Sequence, residues 1–276
     1  MNVEHYENFP VASLLCPPRL RPAVTAIYWF ARTADDIADE GSATPEERRA
    51  RLKEFRVALE AAAHGKVDAG GRWKHVFEPL SNAILGERLP LRLLNDLLDA
   101  FERDVGNPLY PDREALLGYC RCSANPIGRL LLHLYDIDDE SLQCQSDQIC
   151  SALQLINFWQ DLSVDLCRGR CYVPLEDART LGLHCASLQD GPVARRLVAD
   201  LCAWARSLML HGAPLVHSLP GRVGWELRLV VQGGLRVLEK IARMDYATLV
   251  RRPTLRVWDV PVLLARASTM RPHDGE

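Results

Sequence analysis

A helix that is apolar nearly all round has to lie inside a protein. Residues 141–167 read as one long helix of that kind, with Leu153, Leu155, Ile156, Phe158 and Trp159 flanking its middle. Yet the same stretch, "NFWQDLSVD", carries Asn157, Asp161 and Asp165 at intervals of four, and Gln154 lies on the same face one turn earlier. An ionised carboxylate in the interior is costly unless it meets a cation or hydrogen-bond donors. The chain must therefore bring positive charge to this seam, and that requirement limits how it can fold.

A second acidic bank lies in "RTADDIADE". Asp35 and Asp39 are four apart, Asp36 sits beside them, and Arg32 and Tyr28 extend the face backward. One arginine cannot neutralise five aspartates. Two facing helices that offer carboxylate oxygens suit Mg²⁺, a hard ion that takes one or two carboxylates and completes its shell with water and phosphate oxygens. On this reading the ions would lie between the two banks of carboxylates. The bridging ligand would be a diphosphate, and neutralising it in a dry pocket makes it a good leaving group. A di-iron carboxylate site is disfavoured because the Glu-x-x-His motif is missing.

The remaining text is helical almost throughout. Apolar residues at 23, 24, 27, 30, 31, 34, 37 and 38 give the first helix, which Gly41 and Ser42 end. Thr44 caps the second and Pro45 opens it. "HGKVDAGG" is a loop. Helices are predicted over about 73–86 and 90–104, and over 112–136 with a disturbance at Asn125-Pro126. "RGRCYVPLEDARTLGL" reads as irregular, and helices resume over about 190–211, 221–247 and 259–267. The expected fold is all-α: one domain over residues 1–276, eight or more helices in a bundle.

The 276 residues carry a net charge of −3, which gives no electrostatic footprint for nucleic acid. No apolar run approaches the roughly 18 residues that span a bilayer. The opening "MNVEHYENFP" lacks the pattern of a signal peptide, so a cytoplasmic location is expected. Nine scattered cysteines lack the spacing of a structural zinc site and read as reduced, mostly buried small residues.

The two motifs together resemble the squalene/phytoene synthase family, from His5 to about Asp259. The resemblance implies an isoprenoid-synthase helical bundle with a central cavity, in which "DDIAD" and "NFWQDLSVD" hold Mg²⁺ against the diphosphate of an isoprenoid substrate. It assigns further residues singly. His5, in "HYENF", falls in the family's N-terminal diphosphate-binding stretch, and Arg32 is a phosphate clamp. Tyr119 and Gly128, in "YCRCSANPIG", match the family's tyrosine and glycine element, and Gln154 matches a glutamine one turn before the asparagine. The expected catalytic set is Asp35, Asp39, Asp161, Asp165, Tyr119 and Asn157. His5, Phe9, Arg32, Gln154 and Gly128 are expected to bind substrate. Phe9, Tyr28, Tyr119 and Phe158 are candidates to face a carbocation. Three positions depart from the family: Gln160 where arginine is common, "ANP" where "AGT" is usual, and Gly234 where relatives carry a tyrosine.

The wording of "VEHYENFPVAS", "FARTADDIADEG" and "CSANPIGRLLLHLY" most resembles the bacterial members that convert presqualene diphosphate into hydroxysqualene for hopanoid biosynthesis. The implied chemistry is loss of diphosphate, cation rearrangement and capture by water, without a reductant. Condensation of two farnesyl diphosphates to presqualene diphosphate is the alternative, with dehydrosqualene or phytoene synthesis behind it. A non-catalytic helical partner subunit is the remote one. A thirty-carbon product leads to the expectation of peripheral contact with the inner face of the membrane and of association with enzymes of the same pathway.

Overall fold

The computed structural model describes residues 16–219 and 221–271, so His5 and Phe9 lie outside the described residues. Among the described residues there are twelve α-helices and no strand. They are α1 (Arg21–Asp39), α2 (Pro45–Ala63), α3 (Lys74–Glu87), α4 (Leu91–Asp104), α5 (Arg113–Ser123), α6 (Asn125–Leu134), α7 (Glu140–Cys167), α8 (Leu175–Thr180), α9 (Pro192–Gly212), α10 (Leu215–Ser218), α11 (Gly221–Arg243) and α12 (Val260–Thr269).

Local chemistry explains most of the boundaries. Thr44 and Glu47 form a reciprocal capping box at the start of α2, where Pro45 is preset for helix. The chain breaks at Ala124, between α5 and α6, because Pro126 has no amide proton to continue the ladder. Asp139 caps α7 through Leu142 N–H at 2.9 Å. Two expectations need correction. Residues 168–183 are not wholly irregular: α8 lies within them, opened by Pro174 and favoured by Glu176 and Asp177 in its first turn. At six residues it is too short to show a period. The helix expected over 221–247 stops at Arg243, because Asp245 and Tyr246 both take left-handed backbone angles that no helix can contain.

Two apolar cores flank the bundle. One joins α1–α4 around Phe30, Phe55 and Phe77, with Trp73 packed against it. The other surrounds α7 with residues of α5, α9, α10 and α11. Helix α6 contributes to both: Leu130 and Leu134 join the first core and Leu132 the second. All nine cysteines are free, and five of them are buried.

Helix α7 can sit at the centre because three neighbours approach it through glycines. A Cβ at Gly128 would come 2.6 Å from Cys150 Sγ, one at Gly212 2.7 Å from Ile149 Cγ1, and one at Gly234 3.2 Å from Ile156 Cδ1. The residue expected to bind substrate, Gly128, thus serves the close contact of α6 with α7, and Gly234 serves that of α11. Replacing Gly128 by valine should cost about 1–3 kcal/mol of stability through overpacking. That outweighs the ~0.5–1 kcal/mol relieved by removing a helical glycine. Denaturant unfolding reads the difference, and an unchanged midpoint would show that the contact is loose.

Candidate active site

The first bank forms as its spacing implies. Tyr28, Arg32, Asp35 and Asp39 follow one another along one face of α1 while Ile27, Phe30, Ala34 and Ala38 are buried on the other. Arg32 reaches Asp36 at 2.6 Å, Glu40 at 3.0 Å and Asp35 at 3.4 Å. Its guanidinium stays partly exposed, so these pairs add little stability and chiefly hold the fork in place. Burial pushes the Asp35 carboxyl above its usual range; Arg32 pulls it back and Asp36 pushes it up again.

On α7, Asn157 is exposed while Gln154, Asp161 and Asp165 are half-buried, although Phe158, Trp159 and Gln160 beside them are buried. Arg252 forms a two-pronged pair with Asp161, one prong at 3.2 Å. The loop that carries Arg252 is fastened to α7 on both sides. Gln160 Nε2 donates to the Pro253 carbonyl at 2.6 Å, and Ser163 N–H donates to the Thr248 carbonyl at 3.2 Å. The departure at Gln160 thus has a structural consequence. Gln160 secures the backbone beside an arginine supplied from elsewhere in the chain. Burial and the neighbouring Asp161 raise the Asp165 carboxyl from 3.8 to about 7.

Arginines just past the end of α7 tie the two banks together. Arg170 pairs with Asp39, and Arg168 reaches the same carboxylate at 3.4 Å. Arg170 also donates to Asn107 Oδ1 at 3.3 Å, which joins the loop after α4 to the pair. Among the described residues no three His, Cys, Asp or Glu side chains converge into a closed cage for one ion. The donors are instead carboxylate and amide oxygens distributed over two helices. That set fits a hard cation that shares its shell with water and phosphate.

An aromatic cluster adjoins the two banks. Phe158 and Tyr172 stack with centroids 3.8 Å apart, and Tyr119 lies 6.2 Å from Phe158 and 6.1 Å from Tyr172. Tyr110 completes it, 5.5 Å from Tyr119. Beneath them Tyr119 OH donates to Asp104 Oδ2 at 2.6 Å. Burial raises the Asp104 carboxyl to about 7; Tyr119 opposes this, and the charge of Asp35 adds to it. Tyr172 in turn feels Asp104, Arg170 and Asp165, so the cluster lies within electrostatic reach of both banks.

With this geometry in view, comparison with known proteins is informative. The squalene/phytoene synthase family matches residues 3–259. A hydroxysqualene synthase of Sinorhizobium fredii is 33% identical over 247 residues, 86% of this chain and 79% of that protein. One from Zymomonas mobilis is 36% identical over 185 residues, 66% of this chain; the match spans 59% of that protein. The crystal structure of the squalene synthase HpnC from Alicyclobacillus acidocaldarius superposes with a TM-score of 0.80 at 33% identity, covering 89% of this chain and 91% of that one. The chain belongs to the squalene/phytoene synthase family, and its fold is the all-α isoprenoid-synthase bundle.

Sequence reasoning missed Asp104, Tyr110, Arg170, Tyr172 and Arg252. Four of these lie outside regular helix, where periodicity carries no signal; the basic pair before Pro253 was the one hint for Arg252.

A carboxyl whose folded value is raised favours the fold below its unfolded value, and that contribution is lost as pH rises through the folded value. For Asp165 the loss falls between about 4 and about 7. In chelator-treated protein, Asp165→Asn should therefore melt several degrees higher than wild type at pH 8, and the gap should narrow markedly at pH 5. Calorimetry at the two pH values checks this; a lower melting point at pH 8 would mean that the carboxylate is compensated in the fold.

Proposed function

We propose that this chain ionises presqualene diphosphate with Mg²⁺ and captures the rearranged cation with water, giving hydroxysqualene. The observation that carries the reading is the convergence of two aspartate helices with an aromatic cluster, in a chain whose family acts on isoprenoid diphosphates. The names of the relatives at 33% and 36% identity favour this reaction over others in the family.

Mg²⁺ bound between Asp35 and Asp39 on one side and Asn157, Asp161 and Asp165 on the other would neutralise the diphosphate and make it a good leaving group. Arg32, Arg170 and Arg252 surround the same place, and each guanidinium can exchange a carboxylate oxygen for a phosphate oxygen in a two-pronged contact. The faces of Phe158, Tyr172 and Tyr119 would hold the cation, each worth about 0.5–2 kcal/mol. Gln154 lies one turn from Asn157 on the same face and is placed here as a substrate contact. His5 and Phe9 keep the substrate-binding roles that the family resemblance implies. The whole chain is taken to work as one domain.

A location in the cytoplasm with contact at the membrane's inner face follows from the apolar product. No described helix is long and apolar enough to cross a bilayer. A fixed, exposed apolar point supports surface contact instead. Val257 is 85% and Trp258 64% exposed, Arg256 stacks over the Trp258 ring at 4.9 Å, and Arg251 lies exposed nearby in sequence. Buried Asp259 holds this point in place through Arg236 at 2.9 Å and through Lys240. Association with enzymes of the same pathway would spare the product a passage through water.

Purified protein with Mg²⁺ and no NADPH should turn presqualene diphosphate into hydroxysqualene and leave farnesyl diphosphate unconverted. Accumulation of presqualene diphosphate from farnesyl diphosphate would instead assign the condensing reaction. Asp161→Asn should lower turnover by roughly a hundredfold or more while the circular dichroism spectrum stays that of wild type; unchanged turnover would sink the metal-site assignment. The wild type should sediment with anionic vesicles and Trp258→Ser should do so less. A wild type that stays wholly in the supernatant would remove the membrane contact.

A further inference from the structure

A water-quenched carbocation needs one ordered water, a group to hold it and a base for its proton, in a site that otherwise excludes solvent. Tyr119 cannot readily be that base, because its hydroxyl proton is committed to Asp104 Oδ2 at 2.6 Å. Asn157, the other residue on the aspartate face that could hold a water, is exposed. Another group beside the aromatic cluster has to supply the base.

Asp104 Oδ1 and Tyr110 OH are both enclosed, and among the described residues neither has a hydrogen-bond partner. Such buried polar atoms call for an explanation, since each costs about 1–3 kcal/mol when left unpaired. The two lie within electrostatic reach of each other. Together they offer a water one strong acceptor and one hydroxyl that can donate or accept, which is the kind of partner set that holds an ordered molecule.

Both groups are firmly placed. Asp104 is the last residue of α4 and is oriented by Tyr119 from α5. The backbone at Tyr110 is fastened to the start of α8: its carbonyl accepts from Leu175 N–H at 2.9 Å, and that of Pro111 accepts from Glu176 N–H at 2.9 Å. A two-pronged Arg113–Asp177 pair, 2.7 Å at its shortest, secures the same junction. The ring of Tyr110 packs 6.1 Å from Tyr172, which also stacks on Phe158. The pair thus sits at the edge of the aromatic faces assigned above to the cation.

We infer that Asp104 and Tyr110 hold the water that captures the carbocation, that Asp104 takes the proton released in that step, and that Tyr119 is a positioning residue for Asp104. This rests on the proposed hydroxysqualene reaction. The bond from carbon to the diphosphate oxygen has already broken, with both electrons leaving on the diphosphate. A lone pair of the water then forms the new carbon–oxygen bond, and the oxonium proton passes to Asp104 Oδ1. Nothing is oxidised or reduced. The neutral acid returns its proton to the departing diphosphate or to solvent before the next turnover.

The test compares wild type, Asp104→Asn and Tyr110→Phe on presqualene diphosphate with Mg²⁺ and without NADPH. Diphosphate release and the ratio of alcohol to alkene products are measured in each. Asparagine keeps the shape of Asp104 but cannot take the proton. Its diphosphate release should fall less than about tenfold, while alcohol formation falls by roughly a hundredfold and deprotonated alkenes replace it. Tyr110→Phe should shift the ratio the same way by a smaller factor. Tyr110→Phe removes only one hydroxyl, so it remains informative where Asp104→Asn is unstable to melting. An unchanged ratio in either folded variant would overturn the inference. So would a parallel loss of diphosphate release in folded Asp104→Asn, which would place Asp104 with the groups that ionise the substrate. The wild-type reaction reports on the underlying reading separately: if it yields no hydroxysqualene, both fall, whereas an alcohol-forming wild type with unchanged variants refutes the inference alone.

Discussion

Asp39 and Asp161 set the terms for the rest of the molecule. Each is a partly buried carboxylate on a helix whose other faces are apolar, and each is met by a guanidinium from outside its own helix. Both pairs remain partly exposed, so each adds modest stability and chiefly fixes which segments of the chain meet. The chain therefore has to bring the segment after α7 back against α1, and the segment after α11 back onto α7. Those two returns close the bundle around its polar centre. In the proposed reaction the same arginines would also meet the diphosphate, so that stabilising the unliganded protein and binding an anion would draw on one set of groups.

The central helix makes a second demand. To put an acidic seam between two cores, α7 has to be enclosed closely on its apolar sides. Glycines at 128, 212 and 234 let α6, α9 and α11 come within backbone distance of it. At position 234 there is no side chain, and Met209, Leu153 and Ile156 close over the backbone instead. The aromatic lining then comes from elsewhere, from Tyr110 and Tyr172 on loops and from Tyr119 and Phe158 on helices. Two carboxyls held near neutrality, Asp104 and Asp165, mark where burial has been accepted without full compensation. Such groups gather at sites that do chemistry.

Much of this was legible in the amino-acid order, and the exceptions share one physical cause. The helix period located α1, α7 and α9 to within a residue or two, because apolar spacing is a local property of the chain. The capping box at Thr44 and the break before Pro126 were legible for the same reason. The two aspartate banks could be read because their spacing by four is enforced by the helix itself. The arginine partners, by contrast, lie 131 and 91 residues away from their carboxylates along the chain. No periodicity links such positions. The close contact that Gly128 makes with α7 was not legible for a related reason: a glycine in a motif looks the same in sequence whether it makes room for a ligand or for a neighbouring helix.

The sequence by itself determined the all-α class, the helices that carry the acidic residues, and the family to which those motifs belong, since all of these follow from short-range pattern. Only the tertiary structure decided which cations meet which carboxylates, that Gln160 fastens the loop bearing Arg252, and that Asp104, Tyr110, Tyr119 and Tyr172 form one cluster. These are choices between long-range pairings of similar local chemistry, and the packing of helices around α7 settles them by bringing particular segments against particular carboxylates.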